Sequence, residues 1–217
     1  MISFIIPTRR KSNDLPVLKS LKGIDNRVAE IIITRHHGVS RARNKGVELS
    51  KGDIIVFLED DIEFDVKKLL PIIMKQEPGT ITVLYSDGLR KYQIGRITII
   101  RKNDWKITGG FDEYIKFGGE GQDWIIRSVL KGLKWKPIKF DYKHLSRPYS
   151  IWIEMKRYFY YTMVVIRWKE MAYKPIHKYF LPTKNLLVWL AKLFGFYYHF
   201  LHNIKNFLFK IQISWTT

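Results

Sequence analysis

The sequence has 217 residues, which is enough for one α/β domain with a hydrophobic core and an additional tail, but too few for two full domains. It contains no cysteine, which excludes disulfides, thiolate nucleophiles and cysteine-ligated metals, so any metal must be bound by oxygen or imidazole. The formal net charge of +18 favours a polyanionic partner: nucleic acid, an anionic lipid surface or a phosphorylated substrate.

Targeting and membrane-spanning signals are weak. The apolar opening over residues 1–7 is too short for the core of a signal peptide, so we expect a cytoplasmic protein. A spanning helix needs roughly 20 uninterrupted apolar residues. The best candidate, residues 186–201, contains Lys192 near its middle, so we do not expect a membrane span.

Short apolar runs alternate with helical stretches over residues 1–150, a pattern typical of a mostly parallel sheet flanked by helices. Strands are predicted over residues 2–6, 28–34, 53–58, 80–85, 96–101 and 134–140. Helices are predicted after a cap at Asn13 or Asp14, from a cap at Ser40 to about residue 50, after a cap at Asp65, and from residue 121 or 122 to 130. The predicted fold class is therefore α/β and Rossmann-like.

Charged side chains follow the first three predicted strands. In open α/β sheets, ligands bind beyond the carboxyl ends of the strands. Carboxylates there suit Mg²⁺ or Mn²⁺, whereas arginines and hydroxyls suit phosphate and ribose. Alternatively the acids only cap a turn, but three adjacent carboxylates repel one another without a cation. The residues are Pro7, Thr8, Arg9 and Arg10 after the first strand, Thr34 and Arg35 after the second, and Glu59, Asp60 and Asp61 after the third.

A second acidic region lies in the glycine-rich residues 108–124. Glu120 and Asp123 are three residues apart, so at the start of a helix they share one face and can act as a pair. Alternatively they only stabilise the positive end of the helix dipole.

Taken in order, residues 3–9, 38–46, 52–61, 109–113 and 119–120 resemble the motifs of a family 2 glycosyltransferase of the GT-A fold. The resemblance covers roughly residues 1–147. It implies a nucleoside diphosphate sugar as donor, Mn²⁺ or Mg²⁺ as cofactor, and a saccharide hydroxyl as acceptor. Glu59 and Asp61 take the two acidic positions of the family's DxD metal motif, and His144 resembles a histidine that completes the metal shell. The implied nucleotide-sugar residues are Pro7, Thr8, Arg9, Arg35, Arg43, Asn44, Glu59 and Asp60.

The resemblance also implies the mechanism: a carboxylate deprotonates the incoming hydroxyl, and the sugar is transferred in a single displacement with inversion. Two positions depart from the family pattern. Thr34 and Arg35 stand where relatives have acidic residues, so the nucleotide preference does not transfer. The family's Glu-Asp pair is Glu120-Gly121 here, which leaves Glu120 and Asp123 as alternative bases, and loss of activity as a third possibility.

Residues 151–217 form a basic, aromatic tail with ten Lys and Arg, two acids and 18 of the 32 aromatic residues. Apolar residues at helical spacing over residues 186–211 predict amphipathic helices. We expect them at an anionic membrane surface, near a lipid-linked glycan or glycoprotein acceptor; the alternative is packing on the domain or on a second copy. A non-catalytic basic protein that binds membrane or nucleic acid is the alternative function, although nucleic acid is the less expected partner. A nucleotidyltransferase is disfavoured because residues 7–10 contain no glycine.

Overall fold

The computed structural model describes residues 1–11, 14–86, 94–145, 150–168, 190 and 193–194. The chain forms two compact units, one made of Met1–Lys116 and Glu120–Pro148, the other of Phe117–Gly119 and the chain from Tyr149 onward. The strands are β1 (Ile2–Pro7), β2 (Ala29–Thr34), β3 (Ile54–Leu58), β4 (Ile62–Phe64), β5 (Thr80–Tyr85), β6 (Ile97–Arg101), β7 (Lys134–Lys139) and β8 (Tyr142–His144). The helices are α1 (Pro16–Ser20), α2 (Val39–Leu49), α3 (Val66–Met74), α4 (Lys102–Thr108), α5 (Glu120–Leu130) and α6 (Ile151–Arg167).

Six strands form one mostly parallel sheet in the order β2-β1-β3-β6-β5-β7. Within it, β1 lies between β2 and β3 and runs parallel to both, and β5 is parallel to β7. In contrast, β6 runs antiparallel to both β3 and β5. The start of β6 therefore lies at the same edge of the sheet as the end of β3. A separate two-stranded sheet pairs β4 with β8.

The sheet has a hydrophobic cluster on each face. Successive strand side chains point to opposite faces, so Phe4 belongs to one cluster and Ile5 to the other. The first cluster includes Leu69 of α3, and the second includes Trp124 of α5. In the second, four aromatic rings lie in contact, with centroids 4.8 to 6.1 Å apart. These rings are Phe57, Trp105, Phe111 and Trp124.

The predicted fold class and its six main strands are confirmed, with each strand end within two residues. The short elements β4, α4 and β8 were not predicted. The cap at Asp65 is confirmed by its hydrogen bond from the Lys67 amide.

Two predicted helix caps are wrong. For α1 the cap is Leu15, which has no side-chain hydrogen bond, and not Asp14; the other predicted cap, Asn13, lies outside the described residues. For α2 the cap is Gly38, whose φ of 91° is a left-handed conformation that suits glycine. Ser40 lies inside α2, and its hydroxyl donates to the Ile115 carbonyl instead.

Within the second unit, α6 packs closely on the segment Phe117–Gly119. A Cβ atom added at Gly118 would lie 2.7 Å from Arg157 Cγ, and one at Gly119 would lie 3.0 Å from Val164 Cγ2. The amphipathic helices predicted over residues 186–211 lie almost wholly outside the described residues. In the part of the chain that the structure describes, no helix combines the length and the apolarity needed to cross a bilayer.

Candidate active site

Two carboxylates and one imidazole lie together beyond the end of β3. Pairing of β4 with β8 places His144 opposite Ile62, so its ring reaches the acids that precede β4. His144 Nε2 lies 3.4 Å from Asp61 Oδ1 and 3.8 Å from Glu59 Oε2. One ligand atom from each of the three residues lies within 4.8 Å of the others. This donor set suits a hard divalent cation such as Mg²⁺ or Mn²⁺.

Arg96 contacts the same group of acids. The Glu59 amide donates to the Arg96 carbonyl at 3.0 Å, which continues the β3–β6 pairing by one residue. The Arg96 Nε lies 3.2 Å from Glu59 Oε2, and its Nη1 lies 3.4 Å from the Tyr142 hydroxyl. Arg96 was not predicted as a site residue, because a parallel β6 would start at the opposite edge of the sheet.

The Glu59 carboxyl is perturbed by these neighbours. Loss of solvent around the carboxyl raises its pKa to about 7, and the negative charges of Asp61 and Glu120 act in the same direction. Arg96 and Arg43 oppose that rise. When two acids share a metal site that holds no cation, their mutual repulsion makes ionisation of either carboxyl less favourable. The raised pKa of Glu59 agrees with such a site.

Asp60 lies between Glu59 and Asp61 in sequence, but its side chain contacts the loop after β1. Its carboxylate accepts a hydrogen bond from the Thr8 hydroxyl and lies 3.4 Å from Arg10 Nε. The Thr8 hydroxyl also accepts from the Arg10 amide at 3.0 Å. Arg35 Nε donates to the Arg10 carbonyl at 3.1 Å, so the loops after β1, β2 and β3 are bonded together. Pro7 ends β1, and the exposed Arg9 follows in this loop.

Arg43 and Glu120 form a buried ion pair. Arg43 Nη1 donates to Glu120 Oε1 at 2.9 Å, and the side chains are only 5% and 12% exposed. The guanidinium also lies over the Phe111 ring, 5.0 Å from its centroid. Glu120 is therefore held in place beside the acids that follow β3, and the predicted contact of Arg43 with nucleotide stays a prediction.

Asp123, the alternative base, lies inside the protein. Its side chain is 0% exposed and forms an ion pair with Arg127 at 2.8 Å. Arg127 also donates to the Gly110 carbonyl at 2.8 Å, so the pair fixes the loop after α4 against α5. Asp123 presents no open surface to an acceptor in this arrangement.

Asn44 fixes the same loop from α2. Its side-chain NH₂ donates to the Phe111 carbonyl at 2.9 Å, and its oxygen accepts from the Phe111 amide at 2.9 Å. The NH₂ group also donates to Glu113 at 3.1 Å. The protein itself therefore uses both ends of this amide, which was predicted to contact the nucleotide sugar.

Gly121 lies directly under Ile94. A Cβ atom added at Gly121 would lie 1.9 Å from Ile94 Cγ2, closer than any real side-chain contact. With Ile94 in this position, no side chain fits at residue 121. The carboxylate that the family pattern places there has no room, which leaves Glu120 as the acid at this turn.

Comparison with known proteins agrees with this architecture. No curated protein matches the sequence. Among solved structures, a mannosyltransferase from Pyrobaculum calidifontis in complex with GDP-Man and Mn²⁺ superposes with a TM-score of 0.62 at 11% identity, covering 89% of this chain and 73% of its own. TarS from S. aureus with UDP-GlcNAc gives 0.54 at 15%, covering 90% and 73%. The catalytic domain of Drosophila β1,4-galactosyltransferase 7 with xylobiose gives 0.52 at 16%, covering 72% and 79%.

At these identities the structural matches establish the fold, which is that of the GT-A glycosyltransferases. The family is established by the sequence match. The pattern that defines glycosyl transferase family 2 matches residues 5–128, a range that runs from β1 through the acids after β3 to Ser128 of α5. More than half of the chain therefore follows that pattern, and the protein belongs to glycosyl transferase family 2.

Proposed function

We propose that this protein is a metal-dependent, inverting glycosyltransferase that moves a sugar from a nucleoside diphosphate sugar to an acceptor hydroxyl. The observation that supports this most strongly is the group formed by Glu59, Asp61 and His144 at the carboxyl edge of the sheet. It lies beside loops that contain arginines and hydroxyls, which suits binding of a diphosphate next to a cation.

Glu59, Asp61 and His144 would hold the divalent cation. A cation bound there supplies positive charge that stabilises the diphosphate as it leaves. Thr8, Arg10 and Arg35, in the bonded loops after β1 and β2, are the side chains that we propose for the nucleotide portion of the donor.

Glu120 is the residue that we propose as general base. Its Oε1 accepts a hydrogen bond from Arg43, which orients the carboxylate, and this carboxylate takes the proton of the acceptor hydroxyl. The deprotonated oxygen of the acceptor then attacks the anomeric carbon from the face opposite the diphosphate. The bond to the diphosphate breaks as the new bond forms, which inverts the configuration. The alternative, Asp123, is fully buried and bonded to Arg127.

We propose a lipid-linked saccharide or another glycan near a membrane as the acceptor. The support is the composition of residues 151–217, which hold ten Lys and Arg against two acids, together with 18 aromatic residues. Such segments bind anionic bilayer surfaces through both charge and ring burial. On this proposal the enzyme works at the cytoplasmic membrane face. Dimerisation through the tail is the alternative use of the same residues.

The proposal is tested by incubating the protein with a panel of UDP- and GDP-sugars and Mn²⁺, and measuring nucleoside diphosphate release. Asp61→Asn should lose this activity, whereas Asp141→Asn, an exposed acid next to β8, should keep it. Equal turnover by the Asp61→Asn variant would overturn the proposed metal role.

The alternative function, a non-catalytic basic binding protein on this fold, is favoured by Gly121 because relatives have a catalytic carboxylate there. Such a protein would bind vesicles or nucleic acid with steep salt dependence. It would show no metal-dependent binding of a nucleoside diphosphate. The turnover assay and a Mn²⁺-dependent binding assay together separate the two functions.

A further inference from the structure

We propose that Arg96 is a diphosphate-binding residue that a divalent cation releases from Glu59. Without a cation, the guanidinium lies against the Glu59 carboxylate at 3.2 Å. With the cation bound, the same guanidinium would turn from Glu59 to an oxygen of the donor's diphosphate. This inference rests on the proposed function, because it assigns a role in donor binding to a residue beside the proposed metal site.

The position of Arg96 follows from the one antiparallel strand of the described main sheet. Because β6 runs opposite to β3, its first residues lie beside the last residues of β3. The hydrogen bond from the Glu59 amide to the Arg96 carbonyl fixes the two backbones together. The side chain is supported by Tyr142, whose ring centroid lies 5.9 Å from the guanidinium carbon. Arg96 is therefore held at the cation site by the main sheet and by a residue of β8.

The charges explain why the contact should change when a cation binds. Glu59 and Asp61 repel each other, and the positive charge of Arg96 offsets that repulsion. A divalent cation held by these acids would offset the same repulsion and would also repel the guanidinium. The planar fork of an arginine matches the oxygens of a phosphate group, so a bound diphosphate gives Arg96 a new partner.

The neighbouring arginines differ from Arg96 in their acidic partners. Arg10 contacts Asp60, and Arg43 contacts Glu120. Neither of those acids belongs to the group proposed to bind the cation. Arg96, by contrast, contacts an acid that belongs to this group, so the cation and the guanidinium compete for a single carboxylate, that of Glu59.

The test compares Arg96→Gln with Arg101→Gln, a control at the other end of β6 whose guanidinium donates to the Gln76 carbonyl. Two affinities are measured: that of Mn²⁺ alone, from the free Mn²⁺ signal in electron paramagnetic resonance, and that of UDP or GDP at saturating Mn²⁺. For Arg96→Gln we expect Mn²⁺ to bind several-fold more tightly and the nucleotide about tenfold more weakly. The control should change neither affinity.

Tighter Mn²⁺ binding together with weaker nucleotide binding distinguishes this role from a structural one. If Arg96 only supported the fold, its replacement would weaken both affinities or change neither. Arg96→Lys keeps the charge but loses the planar fork, so it should leave Mn²⁺ affinity near that of the wild type and still weaken nucleotide binding. If the wild type binds Mn²⁺ and nucleotide but Arg96→Gln binds nucleotide equally well, this inference is wrong and the proposed function stands. If the wild type binds neither Mn²⁺ nor nucleotide, the proposed function itself is wrong.

Discussion

Arg43 of α2 and Glu120 of α5 form an ion pair of 2.9 Å that is almost entirely buried. It connects the helix that follows β2 to the turn where the family pattern places its catalytic acid. The pair fixes Glu120 at a point where its charge reaches Glu59. A proposed base and a proposed metal ligand are thus neighbours, as a transfer between donor and acceptor requires.

Replacing Glu120 by Gln should slow sugar transfer strongly while leaving donor binding largely intact. The amide keeps the size of the side chain and an oxygen for Arg43, but it cannot accept the hydroxyl proton. Base assistance contributes about 10² to 10⁴-fold, so kcat should fall by that factor. Steady-state kinetics with the preferred donor checks this, with Glu63→Gln as the control. Unchanged kcat in Glu120→Gln would exclude it as the base.

Replacing Asp123 by Asn should destabilise the fold rather than remove the chemistry. The substitution leaves Arg127 without its charge partner at a position where the acid is fully buried. Breaking such a pair costs about 3 to 5 kcal/mol, which denaturant unfolding measures directly. Activity per folded molecule should stay within a few-fold of the wild type. A stable variant without activity would instead identify Asp123 as the base.

Replacing Gly121 by Ala should destabilise the protein because the new methyl group overlaps with Ile94. Overpacking of this kind costs about 1 to 3 kcal/mol. A second change, Ile94→Ala, removes the obstructing atoms, so the double variant should be more stable than the sum of the two single effects predicts. Thermal and denaturant unfolding of all four proteins measures the coupling. Strictly additive effects would show that the two residues do not meet.

Glu30 should make stability depend on pH at acidic values. Burial acts to raise the pKa of Glu30, but hydrogen bonds from the Ser3 hydroxyl and the amides of Lys51 and Gly52 lower it below its usual 4.5. A lowered folded-state pKa means that the ionised form stabilises the fold above pH 4.5. That contribution is lost as the pH falls through the folded-state value.

Glu30→Gln should therefore be less stable than the wild type by about 1 to 2 kcal/mol at pH 7, with the difference shrinking below pH 4.5. Urea unfolding at several pH values measures it. Glu48→Gln, which removes only an exposed pair with Lys45, is the control and should differ little at any pH. If the stability difference between the wild type and Glu30→Gln were the same at every pH, the lowered pKa of Glu30 would be contradicted.

Much of the fold is predictable from local pattern. The apolar runs of the main strands are continuous and bounded by turn residues, so their positions follow from the sequence. Three-residue strands such as β4 and β8 have no such signal, because they exist only through their pairing with each other. The predicted cap at Ser40 was wrong because the Ser40 hydroxyl donates a hydrogen bond to the Ile115 carbonyl, which is distant in sequence.

The site was predictable only where it follows strand ends. Glu59 and Asp61 are apparent from the third strand, and the resemblance to relatives added His144, which the structure brings to them. Arg96 was missed because strand direction does not follow from apolar pattern alone. The sequence left both Glu120 and Asp123 as candidate bases, because their spacing does not show what each side chain contacts. In the structure Asp123 is buried against Arg127, whereas the charge of Glu120 acts on Glu59.

Glu59, Asp61 and His144 are proposed to bind a divalent cation that anchors a diphosphate. This role is tested by calorimetric titration of UDP and GDP into the protein, with and without Mn²⁺. We expect nucleotide binding that requires Mn²⁺ in the wild type and is lost in Asp61→Asn, whose fold is verified by its unfolding curve. Nucleotide binding that is equally tight without Mn²⁺, or unaffected by Asp61→Asn, would contradict it.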